Sequence, residues 1–589
     1  MTISESTFGN EAHLPRVPLP GLAESCERFL EWSAPLLTDS QRAETEAAVA
    51  AFLAEDSPAH ALQADLERYD GQPGVHSWLD DFWAYRYLGR RDRIALNANF
   101  FFLFHDSGEE QVERAAGLVT ATVDYKLRLD GEEIPPVTLR GRPLSMAQQR
   151  FLFSTTRIPG AVQDTVRAPY SADAPGPSTA RHIVVFHRST MFRLEVLAED
   201  GRPHGRDDIA EALRTITKSD ATVDDPSTAV GHLTTMARAE WAATRQSLLD
   251  VGNGEALEEI ETALFCLCLD EFTPANTEQA CDQLLHGNSG NRWFDKSLSL
   301  VVFADGSAGI NLEHCGLDGT TVLAYVDTLF GAAPPARPAA QGLPPVTPIV
   351  FTLDDALRAE ARAAAESFAA YAAATATTTL SFPDFGANTA KQLGMSPDAF
   401  VQMAYQLAHR RAKGLTGATY ESIATRQFHH GRTEAMRVVT PEVLQFVSTM
   451  EAQSTDRAAQ RTAFQAAAAK HVARAKECQA GAAPEQHLWE LQRLATRRGD
   501  AEPHALYRSP GWLVMRDDFL STSSAPSVNV QYFGFGSTSP QCIGVAYVLL
   551  ADSLNIYLST PRHVAAQMHT FARELTTAMR ELRELLEAE

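Results

Sequence analysis

Ser297-Leu298-Ser299-Leu300-Val301-Val302-Phe303 runs through Ala304-Asp305-Gly306-Ser307 into Ala308-Gly309-Ile310-Asn311-Leu312-Glu313, and the chain continues as His314-Cys315-Gly316-Leu317-Asp318-Gly319. Two apolar runs on either side of an Asp-Gly turn predict a pair of antiparallel strands. His314 falls where the second strand ends, so its ring is expected to face a cleft. An imidazole titrates near neutral pH and takes a proton from an alcohol or thiol without needing a metal. Asp318, in the turn that follows, is placed to orient or charge-stabilise the ring, and Gly319 lets the chain bend away. On these residues alone, a surface histidine in an ordinary turn is the simpler account.

Outward from this segment, the runs at 182–187 and 191–196 flank Arg188-Ser189-Thr190 and predict a hairpin. The runs at 528–533 and 543–550 predict strands, and 353–376, 396–413 and 456–479 predict helices. Helical stretches also follow Leu22 and Ser40, and the chain closes on an amphipathic helix from Arg562. A chain of 589 residues is too long for one core. Strands alternating with helices in two halves predict an α/β protein of two layered domains, with a ligand pocket expected at their interface. Proline, glycine and alanine gather at 331–348, which predicts the boundary. The expected domains are 1–345, carrying His314, and 346–589.

Hydrophobic residues make up 44% and charged residues 21%, as in an ordinary globular protein. The net charge of -23 argues against nucleic acid and anionic membranes as partners, because both require basic surface. Seven cysteines, at 26, 266, 268, 281, 315, 478 and 542, lack zinc or redox spacing and predict free thiols in a reducing compartment. The first twenty residues hold no apolar signal core, no stretch is apolar enough to span a membrane, and Leu586-Glu587-Ala588-Glu589 is not a peroxisomal address. A cytoplasmic, monomeric protein with no metal site is the expectation.

The pattern His-x-x-x-Asp-Gly is shared by several thioester-using acyltransferase groups, among them chloramphenicol acetyltransferases and peptide-synthetase condensation domains. Further segments resemble the choline/carnitine acyltransferase family in particular. They are Leu14 to Pro20, Arg157-Ile158-Pro159-Gly160-Ala161-Val162-Gln163-Asp164-Thr165, Asn291-Arg292-Trp293-Phe294-Asp295-Lys296-Ser297, Met395-Ser396-Pro397-Asp398-Ala399-Phe400, Ala418-Thr419-Tyr420-Glu421-Ser422 and His430-Gly431-Arg432-Thr433-Glu434. They occur in the family's order and span the chain. The resemblance implies two chloramphenicol-acetyltransferase-like domains, each a mixed sheet flanked by helices, with a tunnel between them. Coenzyme A (CoA) thioester would enter from one side and an alcohol from the other, with no permanently bound cofactor. His314 would be the general base and Asp318 the acidic residue of its motif. Ser521-Thr522-Ser523 matches the family's Ser-Thr-Ser segment, which makes Ser523 the donor to the tetrahedral oxyanion.

The same resemblance assigns the remaining contacts. Lys391 matches the second of two lysines that hold the CoA 3′-phosphate, and Asp398 matches the aspartate of that motif. Ala387 stands where the first lysine would be, a loss of about 1 kcal/mol for a surface charge pair. This suits CoA, and equally the pantetheine thioester of an acyl carrier protein in secondary metabolism. Gln486, in Pro484-Glu485-Gln486-His487-Leu488, stands where carnitine enzymes have arginine and choline enzymes asparagine. A neutral amide cannot give a carboxylate the charge-assisted bond that arginine gives.

Tyr420 and Thr433 match carboxylate-contacting positions, Ala435 replaces a threonine, and Ser521 and Tyr87 align on the acceptor side. Phe533 matches an aromatic that lies against trimethylammonium, where a cation–π contact competes with plain core packing. Gln531 is bulky where long-chain members have glycine, so short or polar acyl groups are expected. Cys315 is expected to be packed, and Arg157 and Asp295 to form structural pairs near the site. The expected activity is O-acyl transfer to a neutral or cationic alcohol other than carnitine. The alternatives are a carrier-dependent acyltransferase, a carnitine enzyme despite Gln486, and a non-catalytic binding protein.

Overall fold

Asn99–Phe104 reads Asn-Phe-Phe-Phe-Leu-Phe, and all of it is buried, as a strand covered on both faces requires. In the computed structural model, which describes residues 4–219, 225–331, 337–452, 456–499 and 504–587, this strand lies near one end of an eight-stranded mixed sheet. The order across the sheet is Val346–Ile349, Thr190–Glu195, His182–His187, Cys266–Leu269, Leu298–Val302, Ala308–Glu313, Asn99–Phe104 and Val530–Phe535. Cys266–Leu269 runs parallel to both of its neighbours, and the flanking pairs are antiparallel.

The predicted hairpins are present. At the Asp-Gly turn Gly306 has φ +83°, and a Cβ there would lie 1.8 Å from the Glu109 carbonyl oxygen, so glycine is required by conformation and by space. Arg188 and Ser189 both take positive φ in the tight turn before Thr190.

A second, six-stranded mixed sheet has the order Thr375–Phe382, Leu554–Pro561, Ile543–Leu549, Asp518–Ser524, Ala418–Ala424 and Thr433–Arg437. Asp518–Ser524 is parallel to the strands on both sides of it. The helix Pro397–Lys413 packs on this sheet together with Arg457–Gln479 and Ala565–Glu587. The helices expected at 353–376, 396–413 and 456–479 are found at Asp355–Ala373, Pro397–Lys413 and Arg457–Gln479. Among the described residues no helix is long and apolar enough to cross a membrane.

The compact units do not divide at 345. One comprises 1–12, 83–375 and 525–536, and the other 13–82, 376–524 and 537–589. The proline-rich stretch, of which 332–336 lies outside the described residues, is followed by Val346–Ile349, which adds to the edge of the first sheet beside Thr190–Glu195. An edge strand tolerates Pro348. The early helices Leu22–Ser33, Asp39–Phe52 and Ala59–Asp70 join the second unit because their apolar faces find partners there. Phe29 meets Trp512, Phe52 meets Tyr507, and His487 bonds Ser25 Oγ through Nδ1 and Gln63 Oε1 through Nε2.

Burial pushes His487 and His409 down to about 3 and His232 to about 4. Unfolded histidines take up protons near pH 6.5, so the unfolded chain binds more protons than the fold between there and the depressed values. Stability is therefore expected to fall as the pH drops from about 6.5 towards 4. His409, whose ring nitrogens both lack a hydrogen bond, carries part of that loss. Urea midpoints between pH 7 and pH 5 check this: His409→Leu should flatten the decline, and an unchanged slope would count against it.

Candidate active site

The strand Ala308–Glu313 stops one residue before His314, and the helix Gly319–Leu329 begins directly after Asp318. The ring is thereby held in a tight connection, with its side chain 25% exposed. His314 Nδ1 lies 3.0 Å from the Leu317 carbonyl oxygen. A carbonyl only accepts, so Nδ1 carries the proton and the neutral ring keeps its lone pair on Nε2.

Asp318 Oδ1 is 3.5 Å from the same nitrogen, beyond the Leu317 contact. Its other oxygen accepts from Gln148 Nε2 at 2.8 Å, and Gln148 Oε1 accepts from the Asp318 amide and the Thr321 hydroxyl. A main-chain carbonyl thus makes the closer contact to Nδ1, and the buried Asp318 carboxyl lies beside the ring. Cys315 is buried, as expected.

Tyr87 stacks on His314 with ring centres 5.1 Å apart and planes 15° apart, and Phe100 sits at 4.6 Å. Phe533 stands opposite Phe102 in the strand register, and its ring packs on Phe102 at 5.5 Å and Phe100 at 6.4 Å. The aromatic wall at His314 therefore includes Tyr87 and, one ring removed, Phe533. The register passes from Leu103–Tyr532 to Phe104–Val530 and skips Gln531. That irregularity is a β-bulge, so the direction of Gln531 does not follow from alternation with Phe533.

The residue before the histidine is also committed. Glu313 accepts from Arg157 Nη1 at 2.8 Å, and Arg157 Nε donates to Asp164 at 2.6 Å. Arg238 joins Asp164 at 2.7 Å and Asp295 at 2.7 Å, and Trp241 Nε1 donates to Asp295 at 2.6 Å. Arg157 and Asp295 are both buried in ion pairs, each with other partners for its side chain; the bond between the two runs from the Arg157 amide to the Asp295 carbonyl. Burial pushes Asp295 up to about 6 against the pull of Arg238. Burial also opposes the charge on Arg157, but Glu313 and Asp164 outweigh it and hold its pKa above the ordinary value.

In the second unit Thr522 faces inward. Its Oγ1 donates to the Tyr420 carbonyl at 2.9 Å and accepts from Gln402 Nε2 at 3.0 Å. Ser521 and Ser523 consequently lie on the opposite face of the sheet. Ser521 pairs with Tyr420 in register, and Thr433 pairs with Ala424, so Tyr420, Ser422, Thr433, Ser521 and Ser523 share that face. Gln486 Nε2 donates to the Thr433 carbonyl at 2.9 Å, while its Oε1 is buried without a partner.

Sequence reasoning missed Arg437. Its guanidinium binds Glu485 at 2.7 and 2.8 Å and Asp518 at 2.5 Å, beside the Tyr420 ring at 5.6 Å. Two carboxylates on one cation leave a local charge of about minus one. Glu485 stands next to Gln486 in the chain, but no spacing rule connects it to a residue 48 positions earlier.

Lys391 is exposed in the last turn of the short helix Ala387–Gln392. Asp398 lies in the first turn of Pro397–Lys413 and accepts from the Tyr547 hydroxyl at 2.6 Å. Glu421, raised by burial above the usual carboxylate range, bonds His471 Nε2 at 2.7 Å. Among the described residues Asp398, Glu421 and His471 form the one group whose ligand atoms lie within 4.8 Å of one another. Tyr547 and the Glu421–His471 bond already engage these atoms, so the group is an internal polar cluster.

The Choline/Carnitine o-acyltransferase family profile matches residues 17–577. Carnitine O-palmitoyltransferase 2, mitochondrial, of Mus musculus is 31% identical over 94% of this chain and 89% of its own length. Carnitine O-acetyltransferase of Homo sapiens is 30% identical over 100% and 96%. Among solved structures, the wax ester synthase/diacylglycerol acyltransferase from Marinobacter aquaeolei VT8 covers 86% of this chain and 98% of its own, at 10% identity and TM-score 0.35. The protein is an acyltransferase built on two mixed sheets flanked by helices. It belongs to the choline/carnitine O-acyltransferase family, and so moves an acyl group from a CoA thioester to a hydroxyl acceptor without a permanently bound cofactor.

Proposed function

We propose that this enzyme transfers a short or polar acyl group directly to the hydroxyl of a small neutral or cationic alcohol other than carnitine. His314 Nε2 takes the hydroxyl proton as the oxygen attacks the thioester carbonyl. Ser523 donates to the oxyanion of the tetrahedral intermediate. The C–S bond then breaks, and the imidazolium returns its proton to the departing thiolate, so no acyl-enzyme forms. The observation that carries this is the bond from Nδ1 to the Leu317 carbonyl, which leaves Nε2 as the basic nitrogen.

Two features support an acceptor without a carboxylate. Gln486 is neutral, and Arg437, on the same sheet face as Tyr420 and Thr433, is already bound to two carboxylates. Gln486→Arg is expected to raise kcat/KM for carnitine by roughly 10- to 100-fold, the value of a charge-assisted hydrogen bond. Turnover of carnitine and choline by both enzymes checks this. If carnitine turnover does not rise, or the unaltered enzyme already prefers carnitine, the acceptor assignment fails.

A second reading rests on Ala387, which leaves Lys391 without the neighbouring lysine expected for a 3′-phosphate. It makes the donor a carrier-protein pantetheine thioester, as secondary metabolism would supply. Equal rates from CoA and 3′-dephospho-CoA thioesters would favour it, and a large drop without the phosphate would favour CoA. The enzyme is proposed to act as a cytoplasmic monomer.

A further inference from the structure

We infer that Arg157 is a positioning residue for His314, fixing both the residue that precedes the imidazole in the chain and the ring stacked on it. This rests on His314 being the base. The guanidinium makes three directed bonds in its plane: Nη1 to Glu313 at 2.8 Å, Nη2 to the Tyr87 carbonyl at 2.7 Å, and Nε to Asp164 at 2.6 Å. Glu313 is the last residue of the strand that delivers His314, and Tyr87 is the ring lying 5.1 Å from the imidazole. One rigid group thus ties together two neighbours of His314 that are 226 residues apart in the chain, from 87 to 313.

The anchor is itself immobile. Arg157 is 0% exposed and sits in the strand Thr156–Ile158, paired with Thr165–Arg167. Asp164, which receives Nε, is held in addition by Arg91 at 2.9 Å, Arg238 at 2.7 Å and the Gly160 amide at 3.0 Å. A Cβ on Gly160 would fall 2.1 Å from the Gln163 carbonyl oxygen, so the turn that brings this amide to Asp164 closes only around glycine.

Glu313 depends on the pair more than Arg157 does. Its carboxylate is wholly buried, Oε2 has no hydrogen bond, and Oε1 takes the one from Arg157. A carboxylate left alone there would disturb the backbone that sets the Leu317 carbonyl against Nδ1. Lysine cannot replace the guanidinium, because its single ammonium is a point charge without the planar fork that meets three acceptors at once.

A purely structural role is the competing explanation, and Arg238 provides the comparison. It is equally buried and shares Asp164, but its ion pairs are with Asp164 and Asp295 rather than with Glu313. Arg157→Lys and Arg238→Lys are to be compared for Tm, kcat and both KM values. Both should lose stability. Arg157→Lys should lose about 10²-fold in kcat, the cost of displacing a reacting group by about 1 Å, with KM changed less than about twofold. Arg238→Lys should keep its kcat.

Glu313→Gln preserves shape and is the second probe should Arg157→Lys fold poorly. A charged bond weakened to a neutral one is expected to lower kcat by about fivefold at constant KM. Equal kcat losses in the two lysine variants, or normal kcat in Arg157→Lys or Glu313→Gln, would overturn the positioning role. An inactive His314→Ala beside a normal Arg157→Lys would overturn this role alone, whereas an active His314→Ala would remove the base assignment as well.

Discussion

His314→Ala is expected to lower kcat by about 10²- to 10⁴-fold while Tm stays close to that of the unaltered enzyme. The size follows from what the ring does in the proposed reaction: it removes a proton from an alcohol and later returns one to a thiolate. Both transfers use Nε2, the nitrogen left basic because Nδ1 donates to the Leu317 carbonyl. The fold should tolerate the change, since the side chain is 25% exposed and its main interactions are one hydrogen bond and two ring contacts. Thioester cleavage, followed as free thiol with and without an alcohol, is the measurement. Residual turnover within a few-fold of normal would mean that another group accepts the proton. His314→Gln adds a control, because an amide can hold the place of the ring without taking up a proton.

Ser523→Ala is the second large effect, expected at about 10²- to 10³-fold in kcat, as for removal of one oxyanion donor in other acyl-transfer enzymes. The strand alternation makes this specific. Thr522 is turned into the unit, bonded to Gln402 and to the Tyr420 carbonyl, which places Ser521 and Ser523 on the other face. Thr522→Val should therefore act through stability, whereas Ser523→Ala should act through kcat with KM nearly unchanged. The half-buried Ser523 has little packing to lose. Equal kcat in the Ser523→Ala and unaltered enzymes would remove this serine from the mechanism and leave His314 untouched.

Local order was legible where it depends on neighbours in the chain. The strand–turn–strand leading to His314, the hairpin at Arg188-Ser189, and the long helices follow from apolar periodicity and turn chemistry, which act over a few residues. Alternation also carried Ser521 and Ser523 to one face. At Gln531 a bulge in the register breaks the two-residue repeat, so alternation does not give the direction of its side chain. The domain division failed for a related reason. Proline and glycine at 331–348 mark a loop, but a loop does not reveal whether the strand after it leaves its sheet, and Val346–Ile349 stays. Nor does a helix near residue 30 carry in its own pattern the identity of Trp512 as the partner for Phe29.

The amino-acid order by itself determined the family, the α/β class, and the histidine with its acidic neighbour, because these are written in residue identity and short-range spacing. Only tertiary structure decided that a main-chain carbonyl, which has no letter of its own, sets the tautomer of His314. It also decided that Arg437 is consumed by Glu485 and Asp518. And it alone brought Arg157 against both Glu313 and the Tyr87 carbonyl. The His314–Leu317 bond spans three residues, but the contacts of Arg437 and Arg157 join positions tens to hundreds of residues apart, and their geometry arises from packing rather than from any local preference.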